Sequence, residues 1–212
     1  MKRASEEMKG DRELCTAAVT QNGLALEFVS LEMNADRELC MAAVTQNFWA
    51  LQFCSAELQK DLKISTIAAV RRNGWALKDV PEEMKGDRDV CKAAVAQDGK
   101  ALQWASEEMK GDRELCMAAV AQDGQALQRV SEEMKGDREL CMAAVTQDPT
   151  AFHHASDEMK DDETFVLATL SHCLKKWPLM KGAFDKKYLF NPWPKLSEEM
   201  KRNQRVREMA GM

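Results

Sequence analysis

A chain that repeats itself every 25 residues or so has few folds open to it. Residues 105–129 and 130–154 match at 18 of 25 positions, and the same frame carries units 4–28, 29–53, 54–79, 80–104 and a final 155–177. Only 54–79 is one residue longer. A unit this short cannot fold alone. Ordering it costs roughly 1–2 kcal/mol per residue in backbone entropy, whereas its few apolar side chains return about 1.5–3 kcal/mol apiece when buried. Contacts between neighbouring units must supply the balance.

Within 105–129, Asp112 precedes Arg113-Glu114-Leu115-Cys116-Met117-Ala118-Ala119-Val120-Ala121-Gln122, and Asp123-Gly124 follow. Asp is a strong N-cap, and Gly past the end predicts a left-handed closing residue. Leu115, Cys116, Ala119 and Val120 fall at i, i+1, i+4 and i+5, one face of an α-helix. A second, shorter helix is expected from near Gln125, turning Ala126, Leu127 and Val130 inward. Ser131-Glu132-Glu133-Met134-Lys135-Gly136 then reads as a Ser-capped acidic turn with an apolar Met and a Gly stop. Pro81 stands where most units have that Ser, so the preceding helix is expected to end or kink there. The fold class is all-α: a tandem-repeat α-solenoid of about seven helix-turn-helix units over 1–177, followed by a largely irregular extension over 178–212.

The recurring pattern Asp-x-Glu, Leu-Cys, Ala-Ala-Val, Gln-Asn/Asp-Gly, Ala-Leu and Ser-x-Glu-Met resembles the short α-helical repeats grouped as a domain of unknown function (the 4116 type), which occur in tandem in many algal and protist proteins. The resemblance covers about residues 4–170. It implies a repeat fold and no enzymatic activity.

Composition agrees with helices: Ala and Met are plentiful and aromatics amount to 6%. No apolar run approaches the roughly 18 residues of a membrane span. The start, Met1-Lys2-Arg3-Ala4-Ser5-Glu6-Glu7, has no apolar stretch of the kind a secretory signal carries. Of seven cysteines, Cys15, Cys40, Cys91, Cys116 and Cys141 recur at one repeat position, which reads as small buried residues in a reducing compartment (cytosol, nucleus or an organelle interior) rather than a disulfide framework. His153, His154, His172 and Cys173 lack metal-ligand spacing, and no nucleophile elbow, phosphate loop or H-E-x-x-H occurs. No enzyme activity, cofactor or metal is therefore expected.

Two places break the pattern. Unit 54–79 carries Ile64-Ser65-Thr66-Ile67 for the Leu-Cys pair and Arg71-Arg72 where neighbours have Thr-Gln or Ala-Gln. It reads either as a diverged repeat or as a basic notch of Arg71, Arg72 and Trp75 that receives an acidic group; its extra residue should bend the array. The recurring Glu, Lys and Asp-Arg-Glu positions read as a solvated, self-compensating face.

The second break is the tail. Residues 1–173 hold 20 Lys/Arg and 31 Asp/Glu, net −11, whereas 174–212 hold 10 and 4, net +6. Trp177, Phe184, Lys186, Lys187, Tyr188, Phe190 and Trp193 gather there beside Pro192 and Pro194. One reading has this segment cap the last repeat; the other makes it an arm that docks into a partner through aromatic anchors. The function expected is a non-enzymatic protein-protein interaction module or accessory subunit of a larger assembly. An alternative is nucleic-acid association through the basic aromatic tail, opposed by the acidic body.

Overall fold

A computed structural model describes residues 5–176 and 202–210. The chain forms two compact units, Met1–Trp104 and Ala105–Met212. It is an all-α repeat solenoid with no strand among the described residues. In the first unit, α1 (Glu6–Gly10) and α2 (Arg12–Gln21) are followed by α3 (Arg37–Gln46), α4 (Leu62–Arg72), α5 (Glu82–Lys85) and α6 (Arg88–Val95). The second holds α7 (Glu107–Lys110), α8 (Arg113–Gln122), α9 (Arg138–Gln147), α10 (Asp157–Asp161), α11 (Glu163–Lys176) and a helix over Gln204–Ala210.

Each long helix starts for the same reason. Asp11, Asp36, Asp61, Asp112 and Asp137 adopt extended backbone and accept the N–H three residues on at 2.8–3.0 Å. The expected face is the buried one, Leu115, Cys116, Ala119 and Val120 in α8 and Leu140, Cys141, Ala144 and Val145 in α9. Small alanines on that face let successive helices lie side by side, α2 with α3 and α3 with α4 in the first unit, α8 with α9 in the second.

The second helix of each repeat is 3-10 rather than α. It spans six residues, as in Gly124–Arg129, and closes with i→i+3 bonds such as Ala126 N–H to Asp123 O at 2.8 Å. The cap explains the tight winding: Asp123 is extended, and its carboxylate accepts from Gln125 N–H at 2.9 Å. Ala126 and Leu127 are buried as expected.

The glycines do not close helices in the left-handed region. Gly86 and Gly111 lie at φ −92° and −97°. Gly124 is needed for proximity instead: a Cβ there would stand 2.5 Å from the Ala144 carbonyl oxygen of the next repeat, and one on Gly74 would stand 2.6 Å from that of Ala94.

The recurring cysteine has a job that alanine could not do. Cys116 Sγ donates to the Lys110 carbonyl at 3.1 Å, and the same oxygen accepts the Ser131 N–H of the next repeat at 2.9 Å. Lys9 with Cys15 and Ser30, Asn34 with Cys40 and Ser55, and Lys135 with Cys141 and Ser156 repeat the arrangement. A small, largely apolar residue with one weak donor satisfies a buried carbonyl without opening a void. Burial pushes the Cys116 and Cys141 thiols up to about 12, so they stay protonated and unreactive.

At Gln59, the residue equivalent to Lys110, both donors are missing. Pro81 has no N–H, and Ser65, which follows Ile64 in place of the Leu-Cys pair, turns its hydroxyl to the Leu62 carbonyl. The 3-10 helix Gly74–Asp79 ends just before Pro81, as expected. Pro81→Ser is expected to restore the link to the Gln59 carbonyl and a cap for Met84. About 1 kcal/mol of added stability should remain after the lost restriction of the unfolded chain. A higher denaturant midpoint for that variant checks it, and a lower one contradicts the node.

Unit 54–79 takes up its extra residue inside α4, which has eleven residues where α2, α3, α8 and α9 have ten. The insertion widens the buried face to Ile64, Thr66, Ile67, Ala68 and Val70.

Candidate functional site

The charged positions form a ladder between repeats. A cation in the first turn of the long helices reaches the N-cap Asp of the next repeat: Arg12 to Asp36 at 2.9 Å, Arg37 to Asp61 at 3.1 Å, Lys63 to Asp87 at 2.9 Å in the first unit, and Arg113 to Asp137 at 2.8 Å and Arg138 to Asp162 at 3.0 Å in the second. The face is self-compensating, and its exposed pairs contribute under about 1 kcal/mol each.

Those carboxylates therefore carry two loads. The Leu39 N–H and then Arg12 hold Asp36 below the usual carboxylate range, and the Ile64 N–H and Arg37 do the same for Asp61. For Asp87 and Asp137 burial opposes, but Lys63 or Arg113 together with the capped N–H groups outweigh it. Asp162 is lowered by the Thr164 hydroxyl and the Phe165 N–H. A carboxylate lowered in the folded state stabilises fully above its unfolded value of about 3.9 and loses that contribution as pH falls through the folded value. Stability should be level above about pH 5 and fall steadily below about pH 4. Denaturant midpoints across that range test it; a flat profile down to the acid limit would remove the caps from the account.

Against this paired background, two side chains of α4 stand out. Arg71 Nη2 donates to the Gln46 carbonyl at 3.4 Å, and its guanidinium and carbonyl also face the Gln97 carboxamide; none of these partners is a carboxylate. Arg72 has no hydrogen-bond or ion partner among the described residues. In other repeats its position holds a glutamine that ties repeats together, as Gln46 Oε1 accepts the Gly23 N–H at 2.7 Å and Gln147 Nε2 donates to the Ala121 carbonyl at 3.0 Å.

The notch expected from Arg71, Arg72 and Trp75 does not form as one site. Successive helical residues diverge by about 100°, so the arginines serve different grooves. Arg71 edges a groove of about 690 Å³ with Met41, Lys63 and Ile67; Arg72 edges one of about 470 Å³ with Phe48, Trp49, Ala68 and Ala69. Trp75 lines neither. Its Nε1 donates to Asp98 Oδ2 at 2.6 Å, and its ring meets Trp104 edge-on with centroids 4.7 Å apart.

The Arg72 groove has a cause in the sequence. Phe48 occupies the position of Gly23, Gly74 and Gly124, where a Cβ would collide with the next helix. The helix it faces is α4, the long one. Phe48 breaks a column that is otherwise glycine, with Pro149 the other exception, and it lines the groove together with Ala68 and Ala69. Trp49 follows, its N–H held by Asn47 Oδ1 at 3.0 Å and its ring tilted on Phe48 at 5.0 Å, with 60% of the residue exposed. The equivalent positions are Leu24, Trp75, Lys100, Gln125 and Thr150, so the fold accepts polar and apolar residues here alike and no core requirement places an indole. The sequence reading overlooked Phe48 and Trp49; a Phe in the glycine column was the signal.

In the second unit, His154 Nε2 pairs with Gln125 Oε1 at 3.0 Å, and burial lowers its pKa. His172 Nε2 lies 3.1 Å from the Thr146 carbonyl. Among the described residues no group of three or more His, Cys, Asp or Glu side chains could hold a metal, and no helix is long and apolar enough to cross a membrane. The tail candidates Trp177, Phe184, Lys186, Lys187, Tyr188, Phe190 and Trp193 lie outside the described residues.

Comparison with known families gives one match in five overlapping segments. The model described as Domain of unknown function (DUF4116) covers residues 1–34, 36–85, 66–110, 112–160 and 137–175. Neither the curated proteins nor the solved structures compared with the chain contain a match.

Proposed function

Because the chain belongs to the DUF4116 family of tandem repeats, we propose that it works as its architecture does, as a non-enzymatic protein-protein interaction module or accessory subunit of a larger assembly. The observation that carries this reading is the placement of exposed apolar side chains. Trp49 at 60% and Trp75 at 48% exposure occupy a repeat position that holds Leu24 in the first repeat and the polar Lys100, Gln125 and Thr150 in three others. Leu31 and Leu62 are exposed in the same unit. The fold has polar residues available for these sites, so the surface favours a partner. The basic aromatic tail would supply a second point of attachment, anchoring the array.

The test is affinity capture from the native source with the full chain and with a chain ending at Trp177, alongside thermal melts of both. Loss of captured proteins with an unchanged melt makes the tail the anchor. Retention places binding on the repeats. Recovery of nucleic acid alone, released steeply by salt, or of no protein at all, refutes the module.

A further inference from the structure

We propose that the groove between the 3-10 helix Phe48–Phe53 and α4 docks an acidic peptide segment, one that sets an apolar side chain against Trp49 and a carboxylate on Arg72. The inference rests on the interaction-module reading and gives that module a site and a partner chemistry.

Three features of different origin meet in this groove. Phe48 lines it, standing in the glycine column beside the one eleven-residue helix. Trp49 provides an exposed, rigid apolar wall, with its backbone fixed by Asn47 and its ring braced by Phe48. Arg72 is the single charged residue of the lining and has no partner among the described residues, whereas Arg12, Arg37, Lys63, Arg113 and Arg138 are all ion-paired. Arg at the last position of α4 does complement the helix dipole, but Arg71 in the same turn already does so. Dipole complementation explains neither the aromatic pair nor the surrender of the linking glutamine. A planar guanidinium beside an aromatic wall is suited to a carboxylate that arrives with apolar surface.

Charge decides the occupant. The chain's own tail, 174–212, carries net +6 and would bring like charge to Arg72. Nucleic acid would meet only one cation in this groove, too few for a phosphate backbone. A short segment presenting a single carboxylate beside an apolar side chain matches that one cation and the indole wall.

The repeats themselves supply the variants. Arg72→Gln and Trp49→Lys install residues that sister repeats carry at the same positions, Gln46 and Lys100, so both chains should fold normally. The probes are short fluorescein-labelled peptides alternating Glu with Leu, the same peptides with Gln for Glu, and with Lys for Glu, titrated against the full chain by anisotropy. The expected result is saturable binding of the Glu-Leu peptides alone, weakened about tenfold or more by each variant. Equal binding by the Gln peptides, or an unchanged affinity for Arg72→Gln, overturns the proposal. So does binding of none of the peptides, or concentration-dependent self-association abolished by Trp49→Lys, which would make a second copy the occupant. Capture separates the two levels of inference: proteins recovered equally by a chain ending at Trp177 and by the same chain with Arg72→Gln refute this groove and leave the module standing, whereas none recovered by the unaltered full chain refutes the module.

Discussion

Gly124→Ala is expected to destabilise the second unit by about 2–3 kcal/mol, although it adds only one methyl group. A Cβ on Gly124 would lie 2.5 Å from the Ala144 carbonyl oxygen and 2.9 Å from the Asp148 nitrogen. Both are backbone atoms, so neither can swing aside. Relief requires two repeats to separate, and overpacking of this kind typically costs about 1–3 kcal/mol. The ordinary effect of Gly→Ala has the other sign, a gain of about 0.4–1 kcal/mol through the unfolded chain. Gly136→Ala is the control. Its Cβ would meet only Ser156 Oγ, at 3.8 Å, and that variant should be neutral or slightly stabilised. Denaturant midpoints of the two chains, measured side by side, test the contrast. Two shifts of the same sign would mean that proximity to the next helix is not the reason for the glycine column.

Phe152→Ala should cost about 3–5 kcal/mol, the range for removing a fully buried aromatic side chain. Phe152 has no exposed surface and stacks on Phe165, itself buried, with rings 5.6 Å apart and 12° from parallel. The Phe152 column otherwise holds leucine, as at Leu127, and the Phe165 column leucine, isoleucine or valine, as at Leu140, Ile64 and Val90. The last two repeats have therefore each exchanged one aliphatic side chain for a member of a stacked pair that spans them. Phe152→Leu should recover most of the loss, leaving about 1 kcal/mol from the missing ring contact. If both variants unfold alike, the stacking and not the volume is what matters.

How much of this was readable beforehand depended on the kind of contact. The Asp caps and the Leu115, Cys116, Ala119 and Val120 face are local consequences of helical spacing, and spacing is written in the chain. The 3-10 winding of Gly124–Arg129 was not, because six residues are too few for a period to distinguish i→i+3 from i→i+4 closure. Gly124 looked like a helix stop because glycine usually serves that end; its actual constraint lies in the next repeat, 20 residues away at Ala144. The notch failed for a related reason. Arg71, Arg72 and Trp75 are neighbours in sequence, but the helix turns the two arginines to separate grooves and Asp98 claims the indole. Phe48 stands out as a departure only after the glycines in its column have shown what they allow.

The eleven-residue helix has a consequence for addressing. A ligand that recognised only the common surface of such an array could settle in several frames, each displaced by one repeat and nearly equal in energy. It would then be held without being placed. The fault made by Phe48 and α4 occurs once among the described residues. It works as an origin mark on a ruler whose graduations are otherwise alike, giving a bound partner one frame and one direction along the chain.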